Sequence, residues 1–179
     1  GRDAQLFDSS FGWRFINPKM KDQFGVDAMG ETAENLVDRD KVSREDQDKF
    51  SFNSQRKAKA AQERGRFAKE IIAVESPGKK GEVKIFDKDE FMKPDTTVEG
   101  LGKLKPSFRK EGTVTAGNAA GLNDGAAALL LASADAVKKY NLKPLAKIVS
   151  TGAVGVEPRI MGIGPVEAAN IALKRAGLT

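Results

Sequence analysis

The 179 residues contain no cysteine and no histidine, are 40% hydrophobic and 31% charged, and carry a formal net charge of +5. A chain of this composition cannot form a disulfide, a thiolate nucleophile, a zinc site built on sulfur or imidazole, or a Ser-His or Cys-His pair, so any chemistry within it falls to carboxylates, lysines, hydroxyls or backbone. No apolar run approaches the roughly 18–20 residues of a membrane helix, the start Gly1-Arg2-Asp3-Ala4 lacks a secretory pattern, and the expected location is the cytoplasm.

Residues 1–30 scatter Phe7, Phe11, Trp13, Phe15, Phe24 and Met29 among turn formers such as Asn17-Pro18, with no sustained period. Such a segment is an ordered loop tied to a larger body or a partner-contacting arm. A short helix is expected over 31–38. A longer one begins at Ser43, an N-cap followed by Glu45, Asp46 and Asp48, whose carboxylates complement the positive helix end and need no metal to explain them. Along it Phe50, Ser54, Ala58, Ala61 and Gly65 form a narrow face of mostly small side chains, to which another element is expected to come close. Gln55, Arg56, Lys59, Gln62 and Glu63 make the opposite, wet face.

Beyond Gly65, residues 71–74 read as a strand. Pro77-Gly-Lys-Lys-Gly81 reads as a hairpin turn, and residues 83–86 as a second strand. Composition shifts near Gly112. The apolar run over 126–132 reads as a strand buried on both faces, Ser133 caps a helix over 134–140, and residues 145–156 read as a further strand. Pro165 opens a last helix that Gly177 closes. Helices with a hairpin, followed by strand, helix, strand, helix, give an α+β first part and an α/β second part. With 18 glycines the chain is expected to be loop-rich, with a modest core.

Two stretches hold more glycine and special polar residues than a core requires. In Thr115-Ala-Gly-Asn-Ala-Ala-Gly-Leu-Asn-Asp-Gly125 glycines allow tight turns or close approach to a ligand, while Asn and Asp hold turns by local hydrogen bonds. A tight connection beside a buried strand explains the stretch equally well, and its spacing matches neither a Walker loop nor a dinucleotide fingerprint. The second, from Gly152 to Pro165, precedes a helix, where backbone amides can receive an anion. A simple helix start also accounts for it.

Read together and in order, these stretches resemble the thiolase family. EGTVTAGNAAGLNDGAAA (111–128) is similar to the family's Gly-Asn-x-Ser-Gly-x-Asn-Asp-Gly-Ala signature, and GVEPRIMGIGP (155–165) to its second marker. MGETAENL (29–36), SREDQD (43–48) and SQRKAKAAQ (54–62) resemble its helical insertion, so the likeness covers nearly the whole chain. FGWRFINP (11–18) is most similar to the acetyl-CoA acetyltransferase and 3-oxoadipyl-CoA branches.

The resemblance implies an internal fragment of an α/β thiolase fold. Residues 1–111 would be the α+β loop domain covering coenzyme A, 112–142 the end of the N-terminal half, and 143–179 the start of the C-terminal half of the layered α/β core. Complete thiolases take the acyl group on a cysteine, move the proton with a second cysteine, and use a histidine and an asparagine in activation and oxyanion binding. None of those thiol or imidazole groups falls in this chain. Matches to coenzyme-contacting positions are Met20, Met29, Lys93, Phe108, Ala116, Leu122 and Met161. Phe108 and the methionines suit an apolar wall for the pantetheine arm, and Lys93 a phosphate. Core packing and a solvated cation are the plainer roles for the same residues.

The sequence departs from the family at Ala120, where a coenzyme-binding serine is usual, at Ala28, a histidine in some members, and at Gly100, another common serine. The implied ligand is coenzyme A or acyl-CoA as substrate, with no tightly bound cofactor. The implied partners are the remaining thiolase sequence and further copies in a homo-oligomer. A noncatalytic coenzyme A-binding or interaction module is the alternative. A nucleic-acid track fits less well, because Asp and Glu break up the basic stretch between Lys41 and Lys110 and the aromatics follow no RNP-type pattern.

Overall fold

The computed structural model describes Ala4, Leu6 and residues 13–179; Phe7, Phe11 and Gly12 of the aromatic N-terminal segment lie outside the described residues. The chain divides into two compact units, one of residues 1–36 and 120–179, the other of residues 37–119.

In the first unit α1 (Pro18–Phe24) arises where the sequence suggested only a turn. Asn17 caps it by accepting the Lys19 amide at 3.0 Å, Pro18 occupies the first helical position, where its missing N–H is harmless, and Gly25 ends it at φ 72°. Helix α2 (Met29–Asp40), of which residues 29–36 belong to the first unit and 37–40 to the second, is longer than the expected 31–38 at both ends. Its first turn is tightened by the Thr32 hydroxyl donating to the Met29 carbonyl at 2.7 Å.

The second unit is built on α3 (Arg44–Glu63), capped by Ser43 as expected: its hydroxyl accepts the Asp46 amide at 3.0 Å. Strands β1 (Val74–Pro77) and β2 (Val83–Phe86) pair antiparallel with Val74 opposite Phe86 and Pro77 opposite Val83. The second strand and the Pro77–Gly81 turn fall where expected. The first is displaced from 71–74, because the register that closes the turn starts pairing only at Val74. Helix α4 (Val98–Gly102), unmarked in the sequence reading, is capped by Thr97 accepting the Gly100 amide at 3.0 Å.

The packed face of α3 differs from the expected stripe. Phe50 is 78% exposed and Ser54 is exposed, while Asp48 is buried and Gln55, assigned to the wet face, accepts the Lys93 amide at 2.9 Å. The neighbours of α3 are anchored by polar bonds from its side chains, so small-residue spacing did not mark the contact.

Returning to the first unit, α5 (Ala134–Lys139) carries the expected Ser133 cap. Helix α6 (Gly164–Ala176) follows a 3₁₀ turn, Pro158–Ile163, and stops at Gly177, in the left-handed region at φ 68°. The strands expected over 126–132 and 145–156 do not form among the described residues. A strand's N–H and C=O groups need a neighbouring strand, and the sole ladder described is that of β1 and β2. Leu129, Leu130 and Leu131 accordingly stand 74–90% exposed. The core is modest, as composition implied: Leu101 and Val114 are the buried hydrophobic residues among those described. No described helix is long and apolar enough to cross a membrane.

Candidate functional site

The first glycine-rich stretch is held in the second unit by a polar network centred on Asp48, which is 3% exposed. Asp48 Oδ2 accepts from Arg44 Nε at 2.8 Å and Oδ1 from Asn118 Nδ2 at 3.0 Å. Arg44 reaches on to the carbonyls of Leu101 and Leu104, at 2.7 and 3.0 Å, which fastens the C-terminal end of α4. Asn118 also donates to the Thr113 carbonyl and, through Oδ1, accepts the amide of fully buried Thr115 at 2.7 Å. Gln47 donates to the Thr113 hydroxyl at 2.9 Å. A carboxylate, a guanidinium and an amide therefore satisfy one another and pin residues 113–118 to α3. Gly117 is required by space, since a Cβ there would lie 2.5 Å from side-chain carbons of both Leu101 and Leu104. A shallow depression on this unit, about 360 Å³, is lined by Val42, Asp46, Gln47, Phe50, Ser51 and Asn118.

The second stretch is shaped by packing within the first unit. A Cβ at Gly152 would fall 2.1 Å from the Ala168 carbonyl oxygen of α6, and Ser150 and the Thr151 carbonyl are bonded to α6 through Ala172 and Arg175 at 2.6 and 2.7 Å. The 3₁₀ turn is bonded to α2 and its lead-in by Asp27, Asn35 and Arg159. Arg159 Nε donates to Asp27 Oδ2 at 2.8 Å, and the hydrogen bond and charge of Asp27 raise the guanidinium's pKa above its ordinary value.

The eight residues named from the sequence are distributed over both units. Met20 lies on α1, half-buried, and Met29 opens α2 with 70% of its surface exposed. Met161 sits in the 3₁₀ turn and is 47% exposed, Leu122 is 74% exposed and Ala120 is exposed, both in irregular chain. In the second unit Lys93 is exposed, held by its backbone to Gln55, with Nζ 5.9 Å from the Phe91 ring centre. Phe108 is 41% exposed, and Ala116 is exposed on the turn that Asn118 pins. The structure thus presents the apolar and cationic side chains at the surface instead of using them as core. Asp48, Arg44, Asp27, Asn35 and Arg159 were not named as site-supporting residues. In the sequence the helix end alone accounts for Asp48, Arg44 stands at the i, i+4 spacing of any helix-surface pair, and bonds between distant segments, such as Asp27 with Arg159, leave no spacing signal.

No group of described Asp or Glu side chains is arranged to hold a metal ion. The thiolase N-terminal domain profile matches residues 10–135. Curated relatives include the beta-ketoadipyl-CoA thiolase of Acinetobacter baylyi, 52% identical over all of this chain and 45% of its own length. That of Pseudomonas putida is 55% identical over 99% of this chain and 44% of its own. Among solved structures, human mitochondrial 3-ketoacyl-CoA thiolase superposes with a TM-score of 0.77 at 50% identity, over 87% of this chain and 38% of the human one. Bacillus anthracis acetyl-CoA acetyltransferase gives 0.78 at 44%, over 86% and 39%. The chain spans less than half the length of these relatives.

Proposed function

Because the chain belongs to the thiolase family, we propose that it is the coenzyme-covering segment of an acyltransferase that exchanges an acyl group between coenzyme A and a 3-oxoacyl-CoA. The observation that carries this reading is 52–55% identity along essentially the whole chain to beta-ketoadipyl-CoA thiolases. In this reading residues 1–111 form the cover, 112–142 end the N-terminal half and 143–179 begin the C-terminal half. Met20, Met29, Phe108, Ala116, Ala120, Leu122 and Met161 contact the pantetheine arm or its surroundings, and Lys93 offers its charge to a phosphate.

The chain itself would bind and not transform. Thiolysis needs a thiolate to take the acyl group and a base that titrates near neutrality, and the sequence contains neither cysteine nor histidine. Those groups would come from the rest of a complete enzyme, working as a homo-oligomer. Ala120 removes a hydroxyl that could hydrogen-bond the coenzyme, an interaction worth a net ~0.5–1.5 kcal/mol, so the segment's own affinity should be weak.

Two measurements test the reading. The purified chain should show no cleavage of acetoacetyl-CoA and no condensation of acetyl-CoA; steady turnover, abolished by a mutation within the chain, would refute the division of labour. In a coenzyme A titration Lys93→Ala should weaken binding by about three- to tenfold, roughly the effect of one ordinary hydrogen bond, because the Lys93 ammonium is exposed and its charge is screened by solvent. Lys59→Ala should change it little, because Lys59 already faces Asp95 at 3.9 Å. Equal effects of the two substitutions would remove Lys93 from the site. Binding without turnover even by the complete reading frame would favour the noncatalytic module.

A further inference from the structure

Met29 and Met161 are 132 residues apart in sequence, yet both belong to segments joined by one closed ring of polar bonds. Asp27, two residues before α2, accepts through a single oxygen, Oδ2, from both Arg159 Nε and Asn35 Nδ2, each at 2.8 Å. Asn35, in the second turn of α2, donates from the same nitrogen to the Arg159 carbonyl oxygen at 2.9 Å. Each of the three residues thus contacts the other two. The packing around the ring is close. Arg159 Cδ lies 3.5 Å from where a Cβ on Gly25 would be, and Leu36 Cδ1 lies 2.8 Å from the corresponding point on Gly162. Asp27 is shielded, its side chain 17% exposed against 51% for Arg159, so the ring is more than a solvated surface pair. It bonds the lead-in and second turn of α2 to the 3₁₀ turn Pro158–Ile163, the elements that display Met29 and Met161.

We propose that Asp27, Asn35 and Arg159 form a positioning clamp that fixes the Met161 turn against the start of α2 and so sets the spacing of the two methionines that meet the acyl-pantetheine arm. The inference rests on the assignment of Met29 and Met161 to that arm under the proposed function. None of the three clamp residues touches the ligand; they act through the methionines. Arg159 as a direct receptor for a carboxylate on the acyl chain is the competing role, and the geometry disfavours it because Asp27 already neutralises the guanidinium.

The test uses the whole chain in dilute solution with methyl-labelled methionine, which gives four signals, Met20, Met29, Met92 and Met161. Acetyl-CoA should move the Met29 and Met161 methyls together in the unaltered chain. In Asp27→Asn, which keeps the side-chain shape but removes the charge, Met161 should lose its response while Met29 keeps one, Met92 should be unaffected, and the dissociation constant should rise by about three- to tenfold. Arg159→Gln should behave like Asp27→Asn, the double variant should be no worse than either, and Arg159→Lys should recover part of the loss. Additive losses, or an Asp27→Asn chain in which both methyls respond as before, would overturn the clamp while leaving the coenzyme site standing. Failure of Met29 and Met161 to respond in the unaltered chain would overturn the site and the clamp with it. A loss on Arg159→Gln confined to a thioester with a free terminal carboxylate, with acetyl-CoA binding unchanged, would assign Arg159 to direct recognition and overturn the clamp.

Discussion

Asp48 shows how one buried carboxylate can organise chain on three sides. It is bonded to Arg44 on its own helix and to Asn118 seventy residues away, and through Arg44 it is tied to the end of α4. Replacing it with alanine leaves a partly buried guanidinium and an amide facing a hole. Asp48→Ala is therefore expected to destabilise the second unit by about 3 kcal/mol, near the low end for breaking a buried pair because Arg44 remains partly exposed. Denaturant unfolding checks this, and a change below ~1 kcal/mol would show the pair to behave as a surface one. At this scale the sequence was legible only over short separations. Asn118 was expected to hold its own turn and does, through the Thr115 amide and the Thr113 carbonyl, because such bonds are set by separations of a few residues. Its third partner, Asp48, is not visible in the sequence. Nothing in local spacing encodes which residue a distant element will deliver, and the same reason hid Asp27, Asn35 and Arg159. The glycines were singled out correctly as special, but Gly117 and Gly152 are needed for side-chain and backbone approach within a unit, which a sequence cannot separate from approach to a ligand.

Elements with strong end signals were read closely, and those that depend on a neighbour were not. Ser43 with Asp46 marks the start of α3, and Gly177 the end of α6, because capping is a local transaction between a side chain or a left-handed residue and the nearest amides or carbonyls. Asn17-Pro18 carries the same kind of signal, a cap followed by a proline at the first helical position, and it starts α1 where turn formers alone suggest a turn. The strands over 126–132 and 145–156 failed for the opposite reason: apolar runs state a need for burial but do not supply the partner strand. The cap on α3 is directly testable. Ser43→Ala removes the acceptor for the Asp46 amide and should lower stability by roughly 1 kcal/mol, whereas Ser43→Asp should stay within a few tenths of the parent. Equal losses for both substitutions in thermal melts would show that the hydroxyl's other bond, donated to the Asp46 carboxylate at 2.8 Å, matters more than the cap.

For the whole molecule the apolar surface decides how the chain behaves in solution. The run Leu129, Leu130 and Leu131, with Leu145, Ile148 and Val149, stands between 66 and 104% exposed, all in the first unit. Six large aliphatic side chains in two irregular stretches exceed what scattered surface hydrophobes account for, and both stretches have backbone groups unpaired in any ladder among the described residues, the condition under which exposed chain pairs with other chains. Burying one such side chain is worth about 1.5–3 kcal/mol, so association that covers even two or three of them would offset much of its entropic cost. The chain is expected to self-associate as its concentration rises, with light scattering reporting growing mass and a broad thermal transition. Leu130→Lys should reduce that mass at equal concentration, because a charge in the run cannot be buried without a partner. Ile72→Lys is the matched control: Ile72 is 84% exposed but lies in the other unit, outside the run, and should leave association nearly unchanged. A monomer at high concentration with a sharp cooperative melt would show that these residues find cover within the chain, and the burial reading of both apolar stretches would then be wrong.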